Sequence, residues 1–253
     1  MNPVYKLWLM LRATLFWIVF LPSVLLFAVL LTLLVLVPFT WRIQIIKLWI
    51  RLNLFWLHLT CGLGYQVDGL ENIPDEGFIV MSKHSSTWET IALQLWFGPM
   101  VWVVKRELTW IPFFGWGLMA MNAIAINRGT GRQAIRQLVD EGRRRMQQGR
   151  TIMLFPEGTR VPPGTHKPFK IGGAILAAKT GYSIVPVAHN AGEFWPRHSW
   201  IKWPGTVRVV IGKPIEPGDR KPDAIIAEVE QWVTRTGHEI SDREQLARLG
   251  IDA

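Results

Sequence analysis

The chain has 253 residues, a length that fits one domain with a membrane-associated extension and leaves little room for a second full domain. Its residues are 49% hydrophobic and 19% charged, and the mean hydropathy is +0.19, which excludes a disordered or fibrous protein and points towards a membrane. The net charge is +9, the first 67 residues contain no acidic residue, and the lone cysteine, Cys61, excludes an intrachain disulfide and a multi-cysteine metal site.

The amino-terminal segment is predicted to be a membrane helix. No charged side chain occurs from Thr14 to Thr40, and a helix over Leu15–Phe39 would be about 37 Å long, enough to cross roughly 30 Å of hydrocarbon. The run is longer than the apolar part of a cleaved signal peptide and has no small-residue cleavage site near Pro38, so we expect it to stay in or on the membrane. Pro22 is a candidate kink within this helix.

A second apolar stretch, Trp41–Leu59, carries basic residues among its apolar ones, a pattern typical of a helix that lies at a membrane interface. The two stretches form either a spanning helix followed by an interfacial helix or a hairpin that enters one leaflet. The basic residues on the two sides of the first run are too evenly divided to fix its orientation. We predict a membrane anchor over residues 1–62 and one domain over residues 63–253.

Beyond Gly62, short apolar runs alternate with stretches of helical spacing, which predicts a layered α/β domain. The predicted strands are Phe78–Met81, Val101–Val104, Ala123–Ile126, Thr151–Phe155, Ser183–Ala188 and Val207–Ile211. The predicted helices are Ser86–Phe97, Thr130–Gln148, Gly172–Thr180 and Pro222–Arg235, with Gly149 and Gly181 as stop signals.

The first chemical motif runs from His84 to Glu89, directly after the strand Phe78–Met81. Five residues at about 100° each would place these two side chains roughly 140° apart in a regular helix, so they meet only if His84 precedes the helix. Ser85 or Ser86 as the N-cap would create that arrangement. A carboxylate that is hydrogen-bonded to one ring nitrogen leaves the other nitrogen free to accept a proton from a hydroxyl group. The motif therefore predicts that His84 is a general base and that Glu89 orients it. A purely structural pair is the alternative.

A second group of residues combines cations with aromatic side chains. Lys105 and Arg106 follow a predicted strand, Ile111–Gly117 is an aromatic run punctuated by glycine, and Arg128 follows the strand that ends at Ile126. The aromatic run suits the wall of a site for a hydrocarbon chain, although plain core or a membrane-facing surface is the commoner origin of such a pattern.

The third motif, Phe155 to Arg160, is a predicted loop after the strand Thr151–Phe155. Gly158 lets the backbone approach a ligand, Thr159 offers a hydroxyl group, and Arg160 presents a planar cation suited to phosphate or carboxylate. Taken alone, the motif is more typical of a turn that carries a solvated arginine.

Together the three motifs resemble the glycerolipid acyltransferase family, from about Gly69 to Pro217. That family carries its catalytic base in a His-x4-Asp box, which His84 matches and in which Glu89 stands where Asp is usual. The resemblance implies a single α/β acyltransferase domain with a central mixed sheet flanked by helices, preceded by the membrane-associated helical segment. Because Glu is one methylene longer than Asp, we expect the pair to sit slightly differently.

Three further blocks of the family follow in the same order. Its second block is matched from Lys105 to Gly117 and continues to Arg128, its Glu-Gly-Thr-Arg box is matched in full by residues 157–160, and its Val-Pro-Val-like strand is matched by residues 185–187. Four blocks in order and at the expected spacing make the resemblance specific.

The resemblance implies a reaction. His84, oriented by Glu89, would remove the proton from the free sn-2 hydroxyl of lysophosphatidic acid as that oxygen attacks an acyl thioester, giving phosphatidic acid. The acyl donor would be acyl-CoA or an acyl-carrier protein, with no metal or bound cofactor. The chain has no Gly-x-Ser-x-Gly elbow, and Cys61 lies in no catalytic motif, which agrees with direct transfer without an acyl-enzyme.

The resemblance also implies a site for the acceptor phosphate, formed by Lys105, Arg128, Glu157, Gly158, Thr159 and Arg160. Among these we expect Glu157 to order a cation or the loop rather than to touch phosphate. The acceptor resides in the bilayer and the donor in the cytosol. The expected location is therefore a membrane, in a bacterium the inner membrane, with the catalytic domain at its cytoplasmic face.

Two other interpretations stay open. An enzyme of the same family could acylate another lysophospholipid or a lyso-ornithine lipid, and a basic chain with an isoelectric point near 10.1 could be a catalytically inert membrane-binding protein. No nucleic acid is expected as a partner, because the sequence shows no nucleic-acid-binding motif.

Several residues outside the motifs receive simpler expectations. The run Arg143–Arg145 is expected to be a solvated helix face, with contact to the donor's phosphates as the alternative. Three tryptophans, Trp195, Trp200 and Trp203, are expected at the membrane interface. Structural roles are expected for His58, His166, His189, His198 and His238.

Overall fold

The structure, a computed structural model, describes residues 2–75 and 77–251. Its α-helices are α1 (Pro3–Leu33), α2 (Phe39–Cys61), α3 (Trp88–Ala92), α4 (Phe114–Ala120), α5 (Arg132–Met146), α6 (Gly172–Thr180), α7 (Ala191–Phe194), α8 (Pro222–Glu239) and α9 (Arg243–Arg248). Its strands are β1 (Leu63–Asp68), β2 (Ile79–Ser82), β3 (Met100–Lys105), β4 (Ile124–Ile126), β5 (Thr151–Leu154), β6 (Ile184–His189) and β7 (Gly205–Ile211). Short 3₁₀ helices lie at Leu34–Leu36, Leu70–Asn72, Leu93–Leu95, Arg106–Trp110 and Arg128–Thr130.

The strands form one mixed sheet in the order β1-β7-β6-β2-β5-β3-β4. All neighbouring strands from β6 to β4 are parallel, β1 is parallel to β7, and β7 runs antiparallel to β6. Five parallel strands therefore end at the same edge of the sheet, where the loops that follow them can form a site. The predicted α/β domain with a mixed central sheet is confirmed.

Helices cover both faces of the sheet. Helices α5, α6 and α8 bury one face, whose core includes Ile79 and Ile152, while α1 and α2 cover the other face, whose core includes Val80 and Met153. Successive side chains of a strand point to opposite faces, so neighbouring residues of β2 enter different cores. Burial on both faces explains why the central strands are continuous apolar runs.

Helix α1 begins earlier and ends earlier than predicted. Asn2 caps its first turn through the side chain, and Pro3 occupies a position where a missing N–H is tolerated. The helix continues through Pro22, which corrects the predicted span Leu15–Phe39 at both ends. With the 3₁₀ turn that follows, the 34-residue stretch Pro3–Leu36, in which 18 consecutive residues have a mean hydropathy of 2.9, is long and apolar enough to cross a membrane.

The second amino-terminal helix, α2, leads directly into the sheet. It ends at Gly62, which adopts a positive φ of 70°, and β1 follows at once. Buried side chains of both amino-terminal helices, among them Phe16 and Ile50, belong to the same hydrophobic cluster as the sheet. The helices therefore pack on the domain along one face, and the division into residues 1–62 and 63–253 stays a prediction.

The segment after α7 holds the amino-terminal half of α1 against the domain. Trp195 and Trp203 are buried there, so the expectation of a membrane-interface position was wrong for both, while Trp200 is half exposed. The ring of Trp195 packs edge-on against Trp17 of α1 at 5.7 Å. The buried Lys202 ammonium lies 4.0 Å from the centre of the Trp17 ring and donates to the Trp200 carbonyl at 2.7 Å.

Some elements differ from the prediction. Strand β1 was not predicted, because most of its residues are partly exposed at the sheet edge and its alternation is weak. Helices α4, α7 and α9 are also additions, each of seven residues or fewer. The predicted helix Ser86–Phe97 is instead the short helix α3 followed by a 3₁₀ turn, and the helix predicted over Pro222–Arg235 continues to Glu239.

Candidate active site

The sheet order brings the predicted motifs to one edge. Strands β2 and β5 are adjacent and parallel, so the loops after them, which carry His84 and Glu157, leave the sheet side by side. Strands β3 and β4 follow next in the sheet, and Lys105 and Arg128 stand at their carboxyl ends. All of these residues lie after the carboxyl ends of parallel strands, where open α/β sheets place their sites.

His84 and Glu89 form the predicted pair. The ring Nδ1 of His84 lies 2.9 Å from Oε1 of Glu89, whose side chain is fully buried. The same oxygen accepts the backbone N–H of Ser85 at 2.9 Å and that of Ser86 at 2.8 Å. Because a carboxylate only accepts, Nδ1 carries the ring proton and Nε2 keeps its lone pair.

The start of α3 differs from the predicted one. The N-cap residue is Thr87, without a side-chain capping bond, so the expectation of Ser85 or Ser86 at that position was wrong. Ser86 instead accepts the Trp88 N–H through its hydroxyl at 3.1 Å, while its own N–H and that of Ser85 point at the glutamate. The longer Glu side chain reaches back over the turn to meet both donors.

The charge of Glu89 is maintained against its burial. Burial by itself would raise the pKa of Glu89, but the nearby His189 and the donors from His84 and Ser86 outweigh it and hold the pKa below its ordinary value. Burial also lowers the pKa of His189, although the charge of Glu89 acts in the opposite direction. The site thus contains an anionic carboxylate that favours a proton on the His84 ring when Nε2 accepts one.

The backbone of His84 is fixed by the Glu-Gly-Thr-Arg loop. Its N–H donates to Oε2 of Glu157 at 3.0 Å, and its carbonyl accepts the N–H of Val161 at 2.7 Å. The imidazole stacks on the ring of Phe155, with centroids 3.9 Å apart and planes within 8°. The ring is therefore held at Nδ1 and on one face, while its side chain remains 18% exposed.

The environment of Glu157 shifts its pKa in the direction opposite to that of Glu89. It is buried, and burial raises its pKa to about 8, with the proximity of Glu89 acting in the same direction and the His84 N–H opposing it. Glu157 is therefore largely protonated at neutral pH. Its contact with the histidine backbone is the loop-ordering role that we expected, while its membership of a phosphate site stays a prediction.

Two cationic side chains, Arg128 and Lys170, lie next to Gly158. A guanidinium N–H of Arg128 donates to the Gly158 carbonyl. Gly158 has a φ of 74°, and a Cβ there would lie 3.1 Å from Arg128 Nη1 and 3.3 Å from Lys170 Nζ. Arg128, Lys170 and Phe155 also line a cavity of about 220 Å³. Such a pair of cations on a glycine turn suits an anion such as phosphate.

The other predicted site residues lie nearby in different roles. Arg160 donates to the Thr87 hydroxyl at 3.0 Å and so ties its loop to the start of α3. Lys105 is exposed at the end of β3, and within residues 2–75 and 77–251 it makes no ion pair. Thr159 is half-buried, and its hydroxyl forms no hydrogen bond to the described part of the chain. Direct phosphate contact by these three residues stays a prediction.

The sequence analysis missed Lys170, since it lies ten residues beyond the Glu-Gly-Thr-Arg box in a loop without a periodic pattern. No local pattern in the sequence signalled its position next to Gly158. His189, for which only a structural role was expected, lies close enough to Glu89 to affect its charge, and its Nε2 contacts the Lys83 carbonyl at 2.8 Å. With Glu157 and Lys83, it lines a second cavity of about 500 Å³.

Comparison with known proteins places this geometry in context. A family model described as "Acyltransferase" matches residues 64–190. A 1-acyl-sn-glycerol-3-phosphate acyltransferase of Pseudomonas aeruginosa is 42% identical over 213 residues, which cover 82% of each chain. A chloroplastic 1-acyl-sn-glycerol-3-phosphate acyltransferase of Brassica napus is 31% identical over 175 residues, 68% of this chain and 49% of the relative.

A solved structure has the same architecture. The crystal structure of the 1-acyl-sn-glycerophosphate (LPA) acyltransferase from Thermotoga maritima matches this chain with a TM-score of 0.76 and 25% sequence identity, covering 95% of this chain and 98% of the other. The coverage includes the amino-terminal helices as well as the sheet.

The raised pKa of Glu157 predicts a pH-dependent stability. Between pH 4.5 and about 8 the folded state binds a proton that the unfolded state has lost, so the free energy of unfolding falls as pH rises through this window, by up to about 1.4 kcal/mol per pH unit. Glu157→Gln keeps an acceptor for the His84 N–H and cannot titrate. We expect thermal unfolding in detergent to show the variant gaining stability relative to the unaltered protein from pH 5 to pH 8. If the stability of the variant and of the unaltered protein changed with pH in parallel, this prediction would be contradicted. Glu239→Gln, at an exposed position, is the control.

Proposed function

This chain belongs to the acyltransferase family, and we propose that its site transfers a fatty acyl group from a soluble thioester to the sn-2 hydroxyl of 1-acyl-sn-glycerol-3-phosphate, giving phosphatidic acid. The family resemblance drawn from the motifs is confirmed. The observation that carries the proposal is the His84–Glu89 pair, which keeps Nε2 of His84 free at the edge of the sheet that also holds Arg128 and Lys170.

The reaction follows from the tautomer of His84. Nε2 accepts the proton of the acceptor hydroxyl while that oxygen bonds to the thioester carbonyl carbon. The tetrahedral intermediate then expels the thiolate, the C–S bond breaks, and the thiolate takes the proton from Nε2. The products are the diacyl lipid and a free thiol, with His84 returned to its starting state.

Glu89 acts on His84 rather than on the substrate. The ring becomes cationic when Nε2 takes the proton, and the buried carboxylate at 2.9 Å stabilises that cation in surroundings of low dielectric. Its three donors all converge on Oε1, so the same oxygen that orients the ring also positions the turn on which the ring sits. We therefore assign Glu89 a positioning and electrostatic role.

The acceptor phosphate is assigned to the cations around Gly158. Arg128 already donates to the Gly158 carbonyl, which aims its planar fork at the turn, and the Lys170 ammonium adds a compact charge beside it. Arg160 and Lys105 lie at the same edge of the sheet and complete the proposed set. A phosphomonoester needs several donors, and the guanidinium and ammonium groups supply them.

The donor and the location follow from the physical form of the substrates. The acceptor is a bilayer lipid, while acyl-CoA and an acyl-carrier protein are both water-soluble, so an enzyme that uses both must lie at a membrane surface. The apolar stretch Pro3–Leu36 provides the membrane contact in this proposal. We place the catalytic domain at the cytoplasmic face of the bacterial inner membrane, with either thioester as co-substrate and no resident metal or cofactor.

A different acceptor of the same family is the second candidate. A lysophospholipid with a larger headgroup, or a lyso-ornithine lipid, would use the same base and the same thioester. The two cations at Gly158 favour a phosphomonoester with two negative charges over a phosphodiester with one. A catalytically inert membrane-binding protein would not need the fully buried carboxylate behind a half-buried histidine.

Thiol release tests the reaction. With acyl-CoA and lysophosphatidic acid as substrates, we expect His84→Ala to lower the turnover rate about 10²–10⁴-fold, because the general base is gone. Glu89→Gln should lower the rate less, because an oxygen acceptor for the Nδ1–H group of His84 remains. His198→Ala serves as the control, since that exposed ring bonds to Arg197 in the segment after α7. Full turnover in His84→Ala would refute the mechanism, and release without a lysolipid would indicate a hydrolase.

The phosphate assignment has its own test. We expect Arg128→Ala and Lys170→Ala each to raise the KM for lysophosphatidic acid about tenfold to a hundredfold, as for a lost hydrogen bond to a charged group, with a smaller change in kcat. For lysophosphatidylcholine, whose phosphate is a diester, the effect should be smaller. Arg136→Ala, on an exposed face of α5, is the matched control. Equal increases in KM with both acceptors would show that the acceptor phosphate does not bind at this position.

A further inference from the structure

Six large apolar side chains lie exposed on the segment that connects β3 to β4. The aromatic wedge, as we name this group, has exposed fractions between 39% and 65% and consists of Trp110, Ile111, Phe113, Phe114, Trp116 and Met119. Soluble proteins seldom expose so many apolar side chains in one short segment, and such patches usually mark a contact with another body. The wedge belongs to the catalytic domain in sequence, well after the amino-terminal helices.

The wedge is joined to α1 at backbone distance. A Cβ placed on Gly117 of α4 would lie 3.2 Å from the Cα of Ala28, so α4 and α1 touch without intervening side chains. A guanidinium N–H of Arg42 on α2 donates to the Ala120 carbonyl at the end of α4. Both amino-terminal helices therefore hold the segment that bears the wedge.

This contact makes the wedge continuous with the apolar surface of α1. That helix exposes Leu26 to 72% and Leu33 to 74%, and the turn after it exposes Leu36 to 94%. A bilayer that covers these side chains of α1 extends naturally over α4, which is packed beside it. Continuity with the longest apolar surface of the described chain favours lipid over a protein as the body that covers the wedge.

The composition and position of the wedge fit the interfacial layer of a bilayer. Tryptophan is favoured at the level of lipid headgroups, where its ring is partly in hydrocarbon and its N–H reaches water or phosphate. The exposed Lys105 and Arg106 lie five and four residues before Trp110, and the Arg106 guanidinium lies 5.6 Å from the centre of the Trp110 ring. Cations at the rim of an aromatic patch complement the phosphate layer of an anionic membrane.

We propose that the aromatic wedge inserts into the interfacial layer of the lipid bilayer and forms a membrane contact of the catalytic domain itself, separate from α1 and α2. The segment begins after Lys105 and ends before β4, whose carboxyl end carries Arg128. It therefore brings the membrane surface to the strand ends that bear the proposed phosphate ligands. A lipid acceptor can then reach the site while its chain stays in the bilayer. The inference rests on the membrane association proposed above.

Site-specific labelling separates the two claims. Three variants, Trp110→Cys, Leu26→Cys and Glu239→Cys, each receive a maleimide fluorophore, with the unaltered protein as the background because Cys61 is buried. Each is reconstituted into phosphatidylethanolamine and phosphatidylglycerol vesicles. Quenching by brominated acyl chains reports contact with lipid, and quenching by iodide reports contact with water. Glu239 lies on α8, on the sheet face opposite α1.

We expect the labels at positions 110 and 26 to be quenched by brominated lipid and protected from iodide, and the label at 239 to behave in the opposite way. A label at 110 that iodide quenches while the label at 26 responds to lipid would overturn the wedge and leave the membrane association intact. If neither responds to lipid, the membrane association itself fails. Protection at 110 from both quenchers would mean that a protein, such as a second copy of the chain, covers the patch, which also overturns the inference.

Kinetics provide a second readout. We expect Trp110→Ser combined with Trp116→Ser to raise the KM for lysophosphatidic acid about tenfold more in vesicles than in detergent micelles. Tyr65→Ser, a half-exposed aromatic on β1 at the opposite edge of the sheet, is the matched control. An equal loss in micelles and vesicles would assign the two tryptophans to the fold or the site rather than to the membrane.

Discussion

The site depends on one buried oxygen atom. Oε1 of Glu89 accepts three N–H groups, from the His84 ring and from the backbones of Ser85 and Ser86, at 2.8–2.9 Å. These bonds bend the chain around the carboxylate immediately after β2 and hold the imidazole with Nε2 outward. Because Glu89 is buried, water does not compete for this oxygen, and the low local dielectric strengthens the three bonds.

A second acidic side chain, Glu157, also holds His84 but is largely protonated, whereas Glu89 is an anion. Glu157 holds the His84 N–H from the neighbouring loop, and burial with little compensation raises its pKa to about 8, while its neighbour Glu89 stays below its ordinary pKa. One carboxylate is therefore an anion that supports a cationic ring, and the other is largely a neutral acid that joins two loops. Distinct environments assign distinct roles to two like residues within one site.

Local patterns were sufficient to predict much of this site. The strands before the two motifs are apolar runs that lie within a residue or two of their predicted limits, and parallel pairing then brings the ends of neighbouring strands together. The spacing of His84 and Glu89 correctly required the histidine to precede the helix. The family resemblance supplied the reaction, which neither spacing nor composition could have given.

The remaining features depend on tertiary contacts that no local pattern records. The N-cap of α3 shifted to Thr87 because the Ser85 and Ser86 N–H groups bind a side chain four and three residues ahead. Lys170 reaches Gly158 only because its loop folds back over the turn, and Trp195 is buried only because α1 packs on it. These placements follow from packing between distant segments, which composition and periodicity do not encode.

The tautomer of His84 decides whether Nε2 can act as the general base. Nitrogen-15 NMR of the histidine-labelled protein, with the His84 signals identified by their absence in His84→Gln, distinguishes a protonated from an unprotonated ring nitrogen. At a pH where the ring is neutral, we expect a protonated Nδ1 and an unprotonated Nε2. A protonated Nε2 in the neutral ring would contradict it, because that nitrogen could not accept the proton of the attacking hydroxyl.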